Sequence, residues 1–229
     1  AINAAEDYVH AGYPRDAEAM LIVELDGTSE EVDALLDDVS AIARRCGATS
    51  IAVSETEEER QAHWAGRKNA FPAVGRISPD YICMDGTIPR KHLAKVLNGI
   101  SELADKHGLG VANVFHAGDG NLHPLILFDA NRPGDMEKAE LFGRDILKLC
   151  VSVGGVLTGE HGVGVEKRDL MHEMFTDIDL QQQQRIKCAF DPDQNLNPGK
   201  VFPTLHRCAE LGRVHVHHGQ LPRPDLPRF

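Results

Sequence analysis

Basic charge is what this chain of 229 residues is short of: 24 Lys and Arg stand against 35 Asp and Glu, a formal net charge of −11. A nucleic-acid partner wants a basic face, so that class is excluded. An anionic substrate is not, because a local arginine or a metal overrides the global field. Long apolar runs are also missing. Nothing approaches the roughly 20 residues that span a bilayer, and no basic-then-apolar signal peptide opens the chain, so secretion is not indicated. The five cysteines, Cys46, Cys83, Cys150, Cys188 and Cys208, contain no CxxC pair. An odd, scattered set reads as reduced thiols of a cytoplasmic protein rather than as a disulfide framework or a zinc site. No repeat and no low-complexity segment is present. With 42% hydrophobic residues the chain has the material for a substantial globular core.

Periodicity gives a coarse element order. Ala17 to Leu25 reads as a strand closed by Asp26-Gly27, and Thr28 or Ser29 caps a helix over Glu30 to Arg45, whose Val32, Leu35, Leu36, Val39 and Ile42 recur at helical steps. Thr49 to Ser54 reads as a second strand, and an acidic helix runs from about Glu55 towards Phe71. A strand at Tyr81–Met84, a helix from Pro89 to His107, a helix at Asp135–Val153 and helical pieces near Lys167–Met174 and Asp179–Phe190 follow. This order predicts an α+β fold, an antiparallel sheet with helices on one face. From Asp191 the chain is turn-rich, and the proline-rich tail after Arg213, which includes the HVHH run at His215–His218, is expected to be extended.

The chemistry concentrates in two stretches, VANVFHAGDGNLHPLILF at Val111–Phe128 and GGVLTGEHGVG at Gly154–Gly164. Asp119-Gly120 is a two-residue hairpin signal. Counting outward from it sets His116 opposite His123, with Cβ atoms roughly 5 Å apart on one face. Two imidazoles in an apolar hairpin are costly to bury unless something takes up their lone pairs or protons. Either both are core histidines bonded to backbone, or they converge on a metal with Glu160, two imidazoles and a carboxylate being a common set that leaves positions open for substrate. The glycines at 154, 155, 159, 162 and 164 do not match GxGxxG followed by a helix. Close backbone approach to a ligand or flat ring, with Glu160 and His161 turned inward, is their expected purpose.

The segments VFHAGDGNLHP, GGVLTGEHGVGVEKRDLM and FDPDQNLNPGKVFP, with GRKNAFPAVGRISPDYICMDGTIPR at Gly66–Arg90, resemble the C-terminal domain of FAD-linked oxidases of the vanillyl-alcohol oxidase type. Within that group the chain is similar to the flavoprotein subunit of bacterial glycolate oxidases, with D-lactate and D-2-hydroxyglutarate dehydrogenases as relatives. The resemblance covers nearly the whole chain. It implies a ferredoxin-like antiparallel sheet, single or duplicated, with helices on one face, in a substrate or cap domain over residues 1–205. Residues 206–229 would be an extension, and the N-terminal FAD-binding domain would be absent from this chain. It places metal ligands (Zn, Mn or Fe) on His116, His123 and Glu160, the base on His161 and the substrate-carboxylate clamp on Arg67, with Arg76 and Arg90 as rivals. Asn121 becomes a substrate contact or a turn residue, Asp119 a turn residue, and Asn197 and Lys200 of NPGK flavin neighbours. Cys83 stands where the hydroxyglutarate enzyme has a lysine, which favours a small monocarboxylic 2-hydroxy acid.

The resemblance thus implies the substrate-binding part of a flavin-dependent 2-hydroxy-acid dehydrogenase of the glycolate or D-lactate type, inactive without its FAD domain. Its partners would be other subunits, an iron–sulfur subunit among them, which would hold it at the inner face of the cytoplasmic membrane. A self-contained metal hydrolase using the same histidines and a non-catalytic subunit-docking domain are the alternatives.

Overall fold

Local chemistry decides where the helices start. The computed structural model describes residues 1–203, which divide into two compact units, Ala1–Ser78 and the part from Pro79 onward. In the first unit, after α1 (Ile2–Val9), helices α2 (Ser29–Arg45) and α3 (Glu57–Lys68) each open on a capping box. The hydroxyls of Thr28 and Thr56 accept the amides of Glu31 and Glu59, whose carboxylates return to the cap amides and satisfy donors the helix leaves over. A short α4 (Ala70–Val74) follows, and α1 packs on α3 and α4.

Tyr13 locks that packing. Its hydroxyl accepts the Gly66 amide at 2.8 Å and donates to the His63 carbonyl at 2.6 Å, entering the hydrogen-bond ladder of α3 one residue before Arg67. Position 66 has to be glycine, because a Cβ there would fall 2.0 Å from the Tyr13 ring.

The strands expected at Ala17–Leu25 and Thr49–Ser54 are not formed. Both segments run as irregular chain, since alternation makes a strand only when a neighbour accepts its amides and a core covers its apolar face. Neither condition is met: Leu21, Val23, Ile51 and Val53 are 40–69% exposed, and α2 buries none of its residues.

The second unit carries the sheet. Its elements are β1 (Asp80–Cys83), β2 (Gly86–Thr87), α5 (Leu93–His107), β3 (Gly110–Asn113), β4 (Asn121–Leu122), β5 (Pro124–Phe128), α6 (Asp135–Ser152) and α7 (Asp177–Phe190). Strands β1, β5 and β3 form an antiparallel sheet in that order, with Ile82 and Val111 flanking Ile126. Helices α5 and α6 cover the face that presents Ile126 and Phe128, and Val96, Ile100, Phe142 and Ile146 fill the layer between. This is the expected antiparallel sheet with helices on one face.

A second ladder positions the functional segments. β2 pairs with β4, Thr87 opposite Asn121, and Thr87 also exchanges both backbone hydrogen bonds with Val156, at 3.2 and 2.8 Å. One residue therefore ties the DGT segment, the histidine hairpin and the glycine-rich segment together.

Cys46, Cys83 and Cys150 are free thiols. Cys208, the HVHH run and the tail lie outside the described residues. No helix among the described residues is long and apolar enough to cross a membrane.

Phe142 is fully buried and stacks on His107 with ring centroids 5.4 Å apart. Phe142→Ala removes that ring from the helix layer and is expected to cost about 3–5 kcal/mol in urea unfolding. A loss below about 1 kcal/mol would contradict this placement of the core.

Candidate functional site

The histidine hairpin forms with a different turn from the one expected. A type I′ turn needs positive φ at both central residues, and only Gly120, at 71°, supplies it. The chain instead makes successive turns over residues 117–120, with the Asp119 amide on the His116 carbonyl and the Gly120 amide on that of Ala117. Gly120 is required, since a Cβ would lie 2.1 Å from the Ile88 carbonyl oxygen. His116 consequently faces Asn121, and the Val114 amide bonds to the His123 carbonyl. Because the register shifts by two residues and side chains alternate with period two, both histidines keep the same face. They meet diagonally, ring centroids 5.5 Å apart and edge to face.

Close approach explains two of the glycines. A Cβ on Gly155 would lie 2.2 Å from the Thr87 carbonyl oxygen, and one on Gly159 would lie 2.1 Å from Asn121 Oδ1. The partner in both cases is the protein itself, not the ligand or flat ring expected. Packed this tightly, the segment delivers Glu160 and His161 beside the hairpin. His123 Nε2 lies 3.1 Å from Glu160 Oε1, and the His161 ring stacks on the His123 ring at 5.1 Å. The structure thus brings His116, His123, Glu160 and His161 into one cluster.

Asp85 stands behind this cluster, a residue the motif analysis passed over. It has no exposed surface and lies two residues after the end of β1. Burial alone would push its carboxyl pKa up. The Thr158 hydroxyl, the amides of His161 and Gly159 and the Lys167 ammonium outweigh that and hold it well below the ordinary carboxylate value. Lys167, 2% exposed, was missed with it. The available signal was an acid next to glycine at the end of an apolar strand, and a lysine just after the glycine-rich segment.

Burial, the largest influence, depresses the His123 pKa; Glu160 and Asp85 oppose it, while His161 and His116 add to it. The neutral imidazole is therefore favoured, and that is the form that ligates metals. Among the described residues, two donor sets have their ligand atoms within 4.8 Å of one another: His116, His123 and Glu160, and Asp85, His123 and His161. The first fits a divalent ion better, because donors from the protein already occupy both Asp85 oxygens. Asn121 is buried, with its amide 3.4 Å from His123 Nε2 and the Thr87 hydroxyl at 3.5 Å.

The third motif joins the second. The Val201 amide donates to the Gly164 carbonyl at 2.8 Å, and Arg168 Nη1 donates to the Gly199 carbonyl at 2.8 Å. Asn197 has positive φ and accepts from the exposed Lys200 ammonium at 3.2 Å. Arg67 belongs to the first unit, at the last turn of α3, and Arg76 of that unit lies over the Tyr8 ring. Cys83 on β1 has its thiol pushed up to about 12, mainly by burial and then by Asp85, so it stays protonated.

This fold and these motifs have known counterparts. The chain belongs to the family described as FAD linked oxidases, C-terminal domain, which matches residues 1–201. It is 59% identical to the glycolate oxidase subunit GlcD of Escherichia coli K12 over 228 residues, 100% of this chain and 46% of that protein. Similarity extends to glycolate oxidase subunit GlcD of Bacillus subtilis, 36% over 86% of this chain and 42% of the relative. With the mitochondrial D-lactate dehydrogenase [cytochrome] of Arabidopsis thaliana it is 31% over 82% of this chain and 33% of the relative. The chain thus spans less than half the length of each of these three relatives. Among solved structures, 4-ethylphenol oxidase from Gulosibacter chungangensis, in its isoeugenol complex, matches with a TM-score of 0.56 and 16% identity, over 79% of this chain and 38% of that one. That likeness shows the fold.

The His123 shift fixes a sign for stability against pH. Its folded pKa lies below the usual 6.5, so the unfolded state binds more protons and stability rises with pH. The cost of burying this ring is absent above about 6.5, the unfolded imidazole value, and grows as pH falls below it. In chelator-treated protein, wild type is expected to lose more denaturant resistance between pH 7 and 5 than His123→Gln. Parallel losses would contradict a neutral buried His123.

Proposed function

We propose that this chain is the substrate-binding part of a flavin-dependent dehydrogenase that oxidises a small 2-hydroxy acid, glycolate or D-lactate in type, to the 2-oxo acid. The observation that carries the reading is the convergence of His116, His123, Glu160 and His161, from two separate motifs, on one face. The relatives' names, glycolate oxidase subunit and D-lactate dehydrogenase, support the substrate class. The family match supports FAD, supplied mainly by a domain not contained in this chain.

In this mechanism His161, whose side chain is 44% exposed, takes the hydroxyl proton onto a ring nitrogen. The Cα hydrogen leaves with its electron pair, and bound flavin supplies the two-electron acceptor for it. His116, His123 and Glu160 would hold a divalent ion, whose chemistry is to lower the hydroxyl pKa and polarise the substrate oxygens. Arg67 clamps the substrate carboxylate in a fork and so selects which Cα hydrogen is presented. Its part rests on the family motif, not on geometry. Asn121 orients His123 and lines the substrate site, and Asn197 and Lys200 sit at the flavin edge. Lys167, committed to Asp85, is not available to a second substrate carboxylate, which fits a monocarboxylic acid. The word subunit in the relatives' names supports partner polypeptides, and an iron–sulfur protein would suit the onward electron transfer. Attachment at the inner face of the cytoplasmic membrane would follow from such partners.

Kinetics on the holoenzyme, this part together with its FAD-binding domain and bound flavin, test this reading. His161→Asn is expected to lower kcat with D-lactate or glycolate by about 10²–10⁴-fold. Arg67→Lys, which loses the fork, is expected to raise KM for both acids. A His161→Asn variant with wild-type kcat would overturn the assignment of the base.

A further inference from the structure

Asp85 and Lys167 form a buried ion pair for which the proposed chemistry has no direct use. A buried carboxylate or ammonium is expensive, and replacing such a pair by apolar residues is often neutral or stabilising. What the pair contacts is therefore informative. Asp85 Oδ2 accepts the Thr158 hydroxyl at 2.6 Å, the Gly159 amide at 2.8 Å, the His161 amide at 3.0 Å and Lys167 Nζ at 3.2 Å. Oδ1 accepts the Glu160 amide at 3.2 Å and faces His123 Nε2 at 3.7 Å. Lys167 Nζ also donates to the Asp85 main-chain carbonyl at 2.6 Å, so it pins both ends of the same residue.

Three consecutive amides, those of Gly159, Glu160 and His161, thus close on one carboxylate. Backbone amides curled in this way make an anion-binding concavity, and here the anion is the protein's own side chain. The arrangement matters because the Glu160 and His161 side chains are 55% and 44% exposed and, of the site, meet only His123 and each other. The backbone that carries them therefore has to be held in place. Four of the five donors fall on Oδ2 and one on Oδ1, so most of the carboxylate's bonding is spent on the loop and its lysine, which makes Asp85 first of all an orienting group.

We propose that Asp85, held by Lys167, is the positioning residue that sets Glu160 and His161 against His123. The proposal rests on the functional reading above only for its kinetic arm. Asp85→Asn alone would leave Lys167 buried without its counter-charge, and such a variant risks failing to fold. The informative variant is Asp85→Asn with Lys167→Met, which removes the charge from both partners and turns an NH2 group against the loop amides. Partners that orient ligating or reacting groups typically cost about 10–100-fold in activity when removed.

The test combines site-resolved amide exchange with a double-mutant cycle on the holoenzyme that includes the FAD-binding domain. In Asp85→Asn/Lys167→Met, the amides of 159, 160 and 161 are expected to exchange faster by about tenfold or more, while those of α5 and α6 keep their protection. On the wild-type background kcat falls by about 10–100-fold. On a His161→Ala background the same pair of changes costs clearly less than on the wild-type background, because one of the two groups being positioned is gone. Unchanged exchange at the three amides, or kinetic losses that multiply in full, would overturn the proposal. If His161→Ala alone leaves kcat intact, the functional reading fails, and the exchange arm alone then decides whether Asp85 holds the loop.

Discussion

Everything at this site depends on one carboxylate that has no exposed surface. Asp85 is fully buried, and its charge is stable there only because a hydroxyl, three consecutive amides and an ammonium converge on it. The same contacts that meet its desolvation cost join segments far apart in the chain. Thr87, two residues on, adds a backbone bridge to Val156 and a pairing with Asn121. The site is thus assembled by polar bonds around a fixed anion, at the end of a sheet whose own stability comes from the helix layer behind it.

That arrangement explains the unequal exposure of the cluster. His123 and Asp85 are the buried members, while His116, Glu160 and His161 are exposed. Burial keeps the His123 ring neutral, with a lone pair to offer, and the exposed members stay within reach of a ligand. The tight glycines belong to the same logic. With a side chain at Gly155 or Gly159 the loop could not lie against Thr87 and Asn121, and Asp85 would lose the amides that stabilise it.

Much of the second unit was legible in the sequence, because its signals are redundant. The helix from Leu93 to His107, the apolar strand ending at Phe128 and the helix from Asp135 carry clear periods, and tertiary packing agrees with them. The two histidines were legible for a partly wrong reason: the turn is longer than a two-residue hairpin, yet the error of two residues preserved the face. The first unit was less legible. Alternation at Leu21–Val23 and Ile51–Val53 describes a strand only if a neighbour exists, and a single sequence does not reveal the neighbour. Asp85 and Lys167 were hidden for another reason. Each reads locally as an ordinary charged residue near a turn, and their meaning lies in a contact across 82 positions of sequence.

The most direct test of the account is the metal content of the purified protein, measured by mass spectrometry after exposure to zinc, manganese and iron, for wild type and for His116→Ala/His123→Ala. The account predicts about one equivalent of a divalent metal in the wild type and its loss in the double variant. Equal metal content in both, or none in the wild type, would contradict the assignment of His116, His123 and Glu160 as one ligand set.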